Sequence, residues 1–288
     1  MRRVLTGAGA AIAAAVTAAV LAAPAQAASG TYVALGDSFT AGPGIPVQDP
    51  GSGACARSDH NYPALLAGAL GPAAFVDVSC SGAVTDNITG PQGSAGPQLD
   101  AVPADAELVT IGIGGNDVGF GSIVGTCVAL AQVDPAGQPC TEHYTSGGVD
   151  RLERTFAEKA PKIAATLRTI RAKAPQARVV LVGYLAILPA AKADCAPDNP
   201  NNAIVAEGDL PYLADKEADF AALLGETAAA SGADFVDVHA ASKGHEACTA
   251  QGTRWLEGLI DVQDAAPVHP NALGMENVAR LVQESLGS

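Results

Sequence analysis

Five short apolar runs rich in β-branched residues alternate along the chain with segments of helical periodicity, and this alternation predicts an α/β protein. The runs cover residues 32–35, 75–78, 108–113, 179–184 and 235–238. Parallel strands that are joined by helices form a sheet covered on both faces. We therefore expect a three-layer α/β/α sandwich around a five-stranded parallel sheet.

The clearest helix is predicted over residues 149–173, where apolar residues fall on one face and charged residues on the other. We interpret the apolar face as core, and Pro161 predicts a kink or a break. Residues 213–230 predict a second helix, and a last helix is expected after Asn271. Residues 121–148 are interpreted as a long loop, with no separate lid domain.

The first residues have the three parts of a secretory signal peptide. A short basic start precedes apolar, Ala-rich residues 4–23, and Ala25-Gln26-Ala27 has the small-x-small form of a cleavage site. A membrane anchor is the alternative, but the run is weakly hydrophobic and no stop-transfer flank follows it. We expect a signal peptide over residues 1–27, an extracellular protein, and a single domain over residues 28–288.

Acidic residues outnumber basic ones along the chain. There are 16 Lys and Arg against 30 Asp and Glu, a formal net charge of -14, and no Lys/Arg cluster stands out. This balance argues against a nucleic-acid partner and against tight docking on an anionic membrane. We expect a monomer that binds no nucleic acid and does not insert stably into a membrane.

Six cysteines, an even number in a chain expected to be exported, predict disulfides, because none lies in a CxxC metal or redox motif. The sequence alone does not choose among the possible pairings. A cysteine nucleophile is disfavoured, since no cysteine has a recognisable histidine partner. Pairing neighbours in order would close three long Gly/Pro-rich loops, joining Cys55 to Cys80, Cys127 to Cys140 and Cys195 to Cys248.

Four polar segments follow predicted strands or open the last predicted helix, which brings them to one rim of the sheet. Ser38 follows the first run, Gly82 the second and Asn116 the third, and His269 precedes the last helix. Acyl transfer requires a nucleophile, a base and hydrogen-bond donors aimed at an oxyanion. The rim supplies each of these, so we predict a hydrolytic site there.

In order and surroundings, these segments resemble the motifs of the SGNH hydrolases, also called the GDSL family. The resemblance spans nearly the whole mature chain and looks closest to secreted actinobacterial lipases and phospholipases A1. It implies a flavodoxin-like sheet, no cofactor, Ser38 as the nucleophile and His269 as the base. It also implies an oxyanion hole made by the backbone N–H groups of Ser38 and Gly82 and the side-chain amide of Asn116.

Two positions depart from the family pattern: Thr40 is a mild substitution, and the position of the expected acid is the more important one. Many members have an aspartate three residues before the histidine, and here that residue is Ala266. The imidazole still needs an acceptor at Nδ1 to fix its tautomer. We expect a Ser-His dyad oriented by the backbone carbonyl of Ala266 or Pro267, with recruitment of Asp264 or Asp261 as the alternative.

Other conspicuous residues receive structural interpretations. Asp37 and Asp117 are expected to cap turns or helices, and the sequence leaves open whether Trp255 lines a pocket or fills the core. The remaining histidines are His60, His143, His239 and His245, and they form no close cluster, so no metal is expected. We interpret His239 and His245 as structural. Apolar loop residues near the rim either shape an acyl groove or pack beneath a connection, namely Phe39, Ile45, Leu185, Ile187 and Leu188.

These observations together predict a secreted serine ester hydrolase that acts on lipid esters without a cofactor. A carbohydrate acetyl esterase with the same four segments is the alternative, because the sequence does not display the length of the pocket. A non-catalytic binding module that kept the fold is a third reading, disfavoured because all four motif positions are present.

Overall fold

The fold is the predicted α/β/α sandwich around a five-stranded parallel sheet. The computed structural model describes Met1 and residues 30–287, so the predicted signal peptide lies, apart from Met1, outside the described residues. The strands lie in the order β2-β1-β3-β4-β5, and all neighbours are parallel. They are β1 (Thr31–Gly36), β2 (Ala74–Asp77), β3 (Leu108–Gly112), β4 (Arg178–Val182) and β5 (Asp234–Val236).

Helices fill the connections between these strands. They are α1 (Ser38–Ala41), α2 (Tyr62–Leu70), α3 (Asp86–Thr89), α4 (Phe120–Ala131), α5 (Pro139–Thr145), α6 (Arg151–Lys173), α7 (Leu210–Ala230), α8 (Val238–Ala241) and α9 (Ala272–Gly287). Short 3₁₀ turns lie at Pro50–Cys55, Gln98–Ala101, Lys192–Asp194, Pro200–Ala203 and Glu207–Asp209. Within residues 30–287, none of the helices combines the length and the apolar content needed to cross a bilayer.

The sheet separates two hydrophobic layers. Successive side chains of a strand point to opposite faces, and in β1 Tyr32 and Ala34 join one buried cluster while Val33 and Leu35 join the other. The first cluster contains the apolar faces of α2 and α9, and the second contains those of α6 and α7. Because both faces of β1 are buried, this strand holds the site described below on a rigid support.

The predicted helix over residues 149–173 is α6, which begins two residues later. Its first turn is capped by the Asp150 carboxylate, which accepts hydrogen bonds from the N–H groups of Leu152 (2.9 Å) and Glu153 (3.1 Å). Pro161 lies inside this helix, which continues through it to Lys173. The helix is therefore not broken at Pro161.

The interpretation of residues 121–148 as a loop is wrong, because α4 and α5 occupy most of this segment. Glycines at 121 and 125 weaken the helical signal of α4 in the sequence. Tertiary contacts compensate: the Asp209 carboxylate accepts hydrogen bonds from the N–H groups of Cys140 (3.0 Å) and Thr141 (2.7 Å) in the first turn of α5. Only the folded environment supplies these contacts, so the local sequence does not reveal the two helices.

The six cysteines form three disulfides that pair neighbours in sequence order. Each bond lies in segments that follow the carboxyl ends of strands, so all three lie at the same rim of the sheet, where one joins α4 to α5 and the other two join connecting segments. The bonds are Cys55–Cys80, Cys127–Cys140 and Cys195–Cys248.

Candidate active site

Ser38 lies in the turn that follows β1. The N–H of Asp37 donates to the carbonyl of Gly112 in β3 (2.9 Å), and Ser38 begins α1. The Asp37 carboxylate caps this short helix by accepting a hydrogen bond from the N–H of Phe39 (2.9 Å). The strand order reverses beside β1, and open α/β sheets bind ligands at the carboxyl ends of such strands. The turn therefore presents the Ser38 hydroxyl at the rim where a ligand is expected.

His269 lies next to this hydroxyl. Its Nε2 is 2.8 Å from Ser38 Oγ, and its Nδ1 is 2.8 Å from the carbonyl oxygen of Pro267. With the Nδ1–H donated to Pro267, Nε2 has a lone pair available for the serine proton. Burial lowers the pKa of His269 below its ordinary value, and the hydrogen bond to Pro267 opposes this shift. The imidazole is therefore held neutral, the form that can act as a base.

Of the two carbonyls expected near Nδ1, that of Pro267 occupies the position. The carbonyl of Ala266 instead accepts a hydrogen bond from the backbone N–H of His269 (3.2 Å). Within residues 30–287, the carboxylates of Asp261 and Asp264 make no hydrogen bond to His269; Asp261 accepts one from Gln263 instead.

A buried ion pair holds the loop that carries His269. Arg254 Nη2 lies 2.5 Å from Glu257 Oε2, and these side chains are 3% and 2% exposed. The N–H of Glu257 donates to the carbonyl of His269 (2.9 Å), which links the pair directly to the histidine. Val268, just before it, has a φ of 59°, a left-handed conformation that β-branched residues avoid. The surrounding contacts fix this strained backbone, and with it the direction of the imidazole.

Two backbone N–H groups at the rim have no hydrogen-bond acceptor within residues 30–287, those of Ser38 and Gly82. Gly82 has a φ of 81°, which a residue with a Cβ rarely adopts. The Asn116 side chain also lines this part of the site, and its Nδ2 donates one hydrogen bond to the carbonyl of Ala83 (2.9 Å). An amide nitrogen carries two hydrogens, so the second stays available to a ligand.

Asp117 holds the Gly82 turn in place. Its carboxylate accepts hydrogen bonds from the N–H (3.0 Å) and the hydroxyl (2.5 Å) of Thr85, the residue before α3. This cap joins the segment after β2 to the segment after β3. The contact between Thr85 and Asp117 therefore holds the segment that contains Gly82 close to the segment that contains Asn116.

Tyr184 connects the turn that contains Ser38 to the segment that contains Asn116. Its hydroxyl donates to Asp37 Oδ2 (2.6 Å) and accepts a hydrogen bond from the N–H of Gly115 (2.8 Å). Burial raises the pKa of Asp37 to about 7, although the hydrogen bonds from Tyr184 and Phe39 favour the carboxylate. The sequence indicated Asp37 only as a cap, because nothing local relates it to a tyrosine 147 residues away.

A cavity of about 690 Å³ is lined by Ser38, Gly82, Asn116 and His269. Most of its wall is apolar and comes from α4, α6, α7 and the segment after β4. Four of the proposed groove residues line it, and the fifth, Ile45, is instead fully buried in the core; the four are Phe39, Leu185, Ile187 and Leu188. Trp255, left open by the sequence, is a core residue that stacks on His245.

Sequence reasoning missed Lys216 and Glu217 on α7 and interpreted His239 on α8 as structural, although all three line this cavity. None of them belongs to a motif, and only the packing of α7 and α8 against the segment after β4 brings them together. In the part of the chain that the structure describes, no group of three or more His, Cys, Asp or Glu side chains is arranged to hold a metal ion.

A flavodoxin-like parallel sheet with a serine in the turn after β1 is the architecture of an SGNH hydrolase, and the chain belongs to the GDSL-like lipase/acylhydrolase family, whose sequence pattern matches residues 34–276. The protein is thus a carboxylic ester hydrolase of the SGNH type. Among curated proteins, it is similar to Lipase 2 of Streptomyces coelicolor, at 40% identity over 271 residues, or 92% of this chain and 89% of that one.

Solved structures give the same assignment. The fold is similar to phospholipase A1 from Streptomyces albidoflavus, with a TM-score of 0.73 and 29% identity over 91% of this chain and all of that one. It is also similar to the extracellular lipase from Streptomyces rimosus, with a TM-score of 0.70 and 29% identity over 90% of this chain and all of that one.

Proposed function

We propose that this protein is a secreted enzyme that hydrolyses lipid esters through an acyl-enzyme on Ser38. The observation that carries the proposal is the 2.8 Å contact between Ser38 Oγ and His269 Nε2 in the wall of a large apolar cavity. A nucleophile within hydrogen-bond reach of a base, which is itself oriented by a third group, is the arrangement that acyl transfer requires.

In the first step, Ser38 Oγ attacks the ester carbonyl carbon while His269 Nε2 takes the serine proton. The carbonyl oxygen becomes an oxyanion, which the N–H groups of Ser38 and Gly82 and the Asn116 amide stabilise. The C–O bond to the alcohol then breaks, and His269 returns the proton to that alcohol. Water, deprotonated by His269, attacks the acyl-enzyme in turn, which releases the acid and regenerates Ser38.

The volume and the apolar lining of the cavity favour a lipid acyl chain. An apolar cavity of about 150 Å³ suffices to bind one benzene molecule, and the volume here is about 690 Å³. Burying apolar chain in such a cavity contributes about 25 cal/mol per Å². A sugar ring, with hydroxyls on every side, would leave its polar groups unpaired against this wall. The names of the similar proteins, lipases and a phospholipase A1, support the same substrate class.

Three observations support secretion. The first residues have a signal-peptide pattern, three disulfides suit an oxidising compartment, and one similar structure is named an extracellular lipase.

The composition of the site supports catalysis by a monomer without a metal. The proposed nucleophile, base and oxyanion donors all come from one chain, and none of them needs a metal ligand. The strong excess of acid makes nucleic acid an unsuitable partner.

The test is hydrolysis of a panel of short- and long-chain nitrophenyl esters, phosphatidylcholine and acetylated xylan. Ser38→Ala should reduce turnover by about 10⁴-fold or more, whereas Ser122→Ala, at an exposed position on α4, should retain it. Preference for long chains and phospholipid supports the lipid assignment. Activity confined to acetyl groups would favour a carbohydrate esterase, and turnover that survives in Ser38→Ala would overturn the mechanism.

A second comparison tests the dyad. His269→Ala should reduce kcat severely, while Asp264→Asn and Asp261→Asn should change it by less than about threefold, because a backbone carbonyl already occupies Nδ1. A loss in either aspartate variant as large as that in His269→Ala would show that a carboxylate completes a triad.

A further inference from the structure

The wall of the apolar cavity contains polar side chains that the proposed reaction does not use, and two of them lie side by side. Glu217 projects from α7 and His239 from α8, and both line the cavity. His239 Nε2 lies 4.0 Å from Glu217 Oε2, so the two groups form one polar patch. We call this pair the Glu217–His239 patch.

Only part of the Glu217 carboxyl group is occupied by the protein. Its Oε2 accepts hydrogen bonds from the N–H groups of Ile187 (2.9 Å) and Leu188 (3.5 Å), in the segment after β4. Its Oε1 makes no hydrogen bond within residues 30–287, and the side chain is 20% exposed, facing the cavity. Burial raises the pKa of Glu217 to about 8, so the carboxyl group is mostly protonated at neutral pH and can donate as well as accept.

The His239 imidazole has even fewer partners. Its side chain is 8% exposed, and its ring nitrogens make no hydrogen bond to other described residues. Burial lowers the pKa of His239, which favours the neutral ring with one donor and one acceptor nitrogen. Neither ring nitrogen is among the fully buried side-chain atoms that lack a hydrogen bond, so the ring reaches the cavity, where a ligand or water can pair with it.

A purely structural role explains one oxygen of the patch and leaves the rest unexplained. Holding the Ile187 and Leu188 amides requires Glu217 Oε2 alone. It requires neither Oε1 nor an imidazole in the same cavity wall.

We propose that the Glu217–His239 patch is a subsite for an oxygenated acyl chain, one that carries a hydroxyl or a comparable neutral oxygen along its length. The proposal rests on ester hydrolysis at Ser38. The hydroxyl donates to the patch through its hydrogen and accepts through its oxygen, which pairs groups that the protein leaves open. A plain alkyl chain displaces water from the same groups without replacing its hydrogen bonds, which weakens binding.

The charges around the patch select a neutral group over a carboxylate. The Glu246 carboxyl group raises the pKa of Glu217 through its negative charge, and it would equally repel an acidic chain end. Lys216 also lines the cavity, but its ammonium group is engaged by Glu153 (2.5 Å), Asp219 (2.6 Å) and Asp150 (3.6 Å). Apart from the neutral imidazoles of His239 and His269, the described part of the cavity wall therefore offers an anion no free basic side chain.

The experiment compares nitrophenyl esters of saturated chains with esters of the same length that carry one hydroxyl, placed at successive carbons. In the wild type, kcat/KM for the hydroxylated ester should exceed that of the plain ester by about 10-fold at the positions that reach the patch. Equal kcat/KM at every hydroxyl position would overturn the subsite, while the hydrolysis itself would leave the proposed function intact. Failure to hydrolyse any ester would instead reject the proposed function.

Variants locate the effect. Glu217→Met and His239→Leu should each bring the ratio of hydroxylated to plain ester down towards one, and Glu217→Gln, which keeps polar atoms at the patch, should retain most of the preference. Glu226→Met makes the same chemical change at an exposed position of α7 and should leave the ratio at its wild-type value. A preference that survives both Glu217→Met and His239→Leu would place the selectivity elsewhere and refute the assignment.

Discussion

Asp37 is a buried carboxyl group that the fold places beside Ser38 at a calculable cost in stability. Its side chain belongs to a residue that is 1% exposed, and burial raises its pKa from an ordinary value of 3.8 to about 7. The unfolded chain therefore loses this proton at a lower pH than the folded protein does. Between these two pKa values the unfolded state binds fewer protons, so stability falls as pH rises and then stays constant above the folded pKa.

Replacing Asp37 by Asn removes this cost. At about 1.36 kcal/mol per pKa unit, the ionised carboxylate destabilises the fold by about 4 kcal/mol at high pH. Asparagine keeps the oxygen that accepts from the N–H of Phe39, but it puts an amide donor where Oδ2 accepts from the Tyr184 hydroxyl, which costs about 1 kcal/mol at either pH. We expect Asp37→Asn to be more stable than the wild type by about 3 kcal/mol near pH 8.5, and no more stable than it near pH 4.

The assay is urea unfolding at both pH values with the disulfides intact. Asp237→Asn is the matched control, because Asp237 also caps a short helix, α8, but is exposed. Its effect should stay below about 1 kcal/mol at either pH. The reasoning is refuted if Asp37→Asn is no more stable than the wild type near pH 8.5, or if its gain is as large near pH 4.

Three further outcomes follow from the site. Tyr184→Phe removes the hydroxyl between Asp37 and Gly115 and should lower kcat by about 10-fold or more, whereas Tyr212→Phe, which loses a hydrogen bond to Asp150, should stay within about twofold; equal losses would refute the positioning role. Because burial lowers the pKa of His269, the acid limb of kcat/KM should have its midpoint below 6.5, and a midpoint above it would contradict the geometry. Arg254→Met leaves the buried Glu257 unpaired and should reduce the free energy of unfolding by about 3–5 kcal/mol, against less than about 1 kcal/mol for Arg280→Met in an exposed pair; similar urea midpoints for the two variants would contradict this.

The approach of Ser38 to His269 could be anticipated because it depends on topology. Parallel strands deliver the residues after their carboxyl ends to one rim, so Ser38, Gly82 and Asn116 are neighbours whatever the details of the loops. His269 joins them through the turn before the last helix. The choice of the Pro267 carbonyl over that of Ala266 could not be made from sequence, since it depends on the left-handed φ of Val268.

The cavity wall was far less predictable. The helix α4 contains glycines and β-branched residues, so its local propensity is poor, and only contacts with the rest of the fold make it helical. Glu217 sits on a helix whose pattern gives no sign that one carboxyl group faces inward, and its partners Ile187 and Leu188 lie about 30 residues away in the sequence. Long-range packing of this kind leaves no periodic signal in a single chain.

The position of the three disulfides has a practical consequence for anyone who prepares this protein. All three bonds lie at the rim and none crosses the sheet, whose two hydrophobic layers are formed by other residues. A sample made in a reducing cytosol can therefore retain the far-UV circular dichroism of an ordered sheet and helices, although the segments around its substrate cavity are no longer held in place. Titration with dithiothreitol should abolish turnover before it removes the dichroism signal. A native-like spectrum therefore does not show that the enzyme is intact.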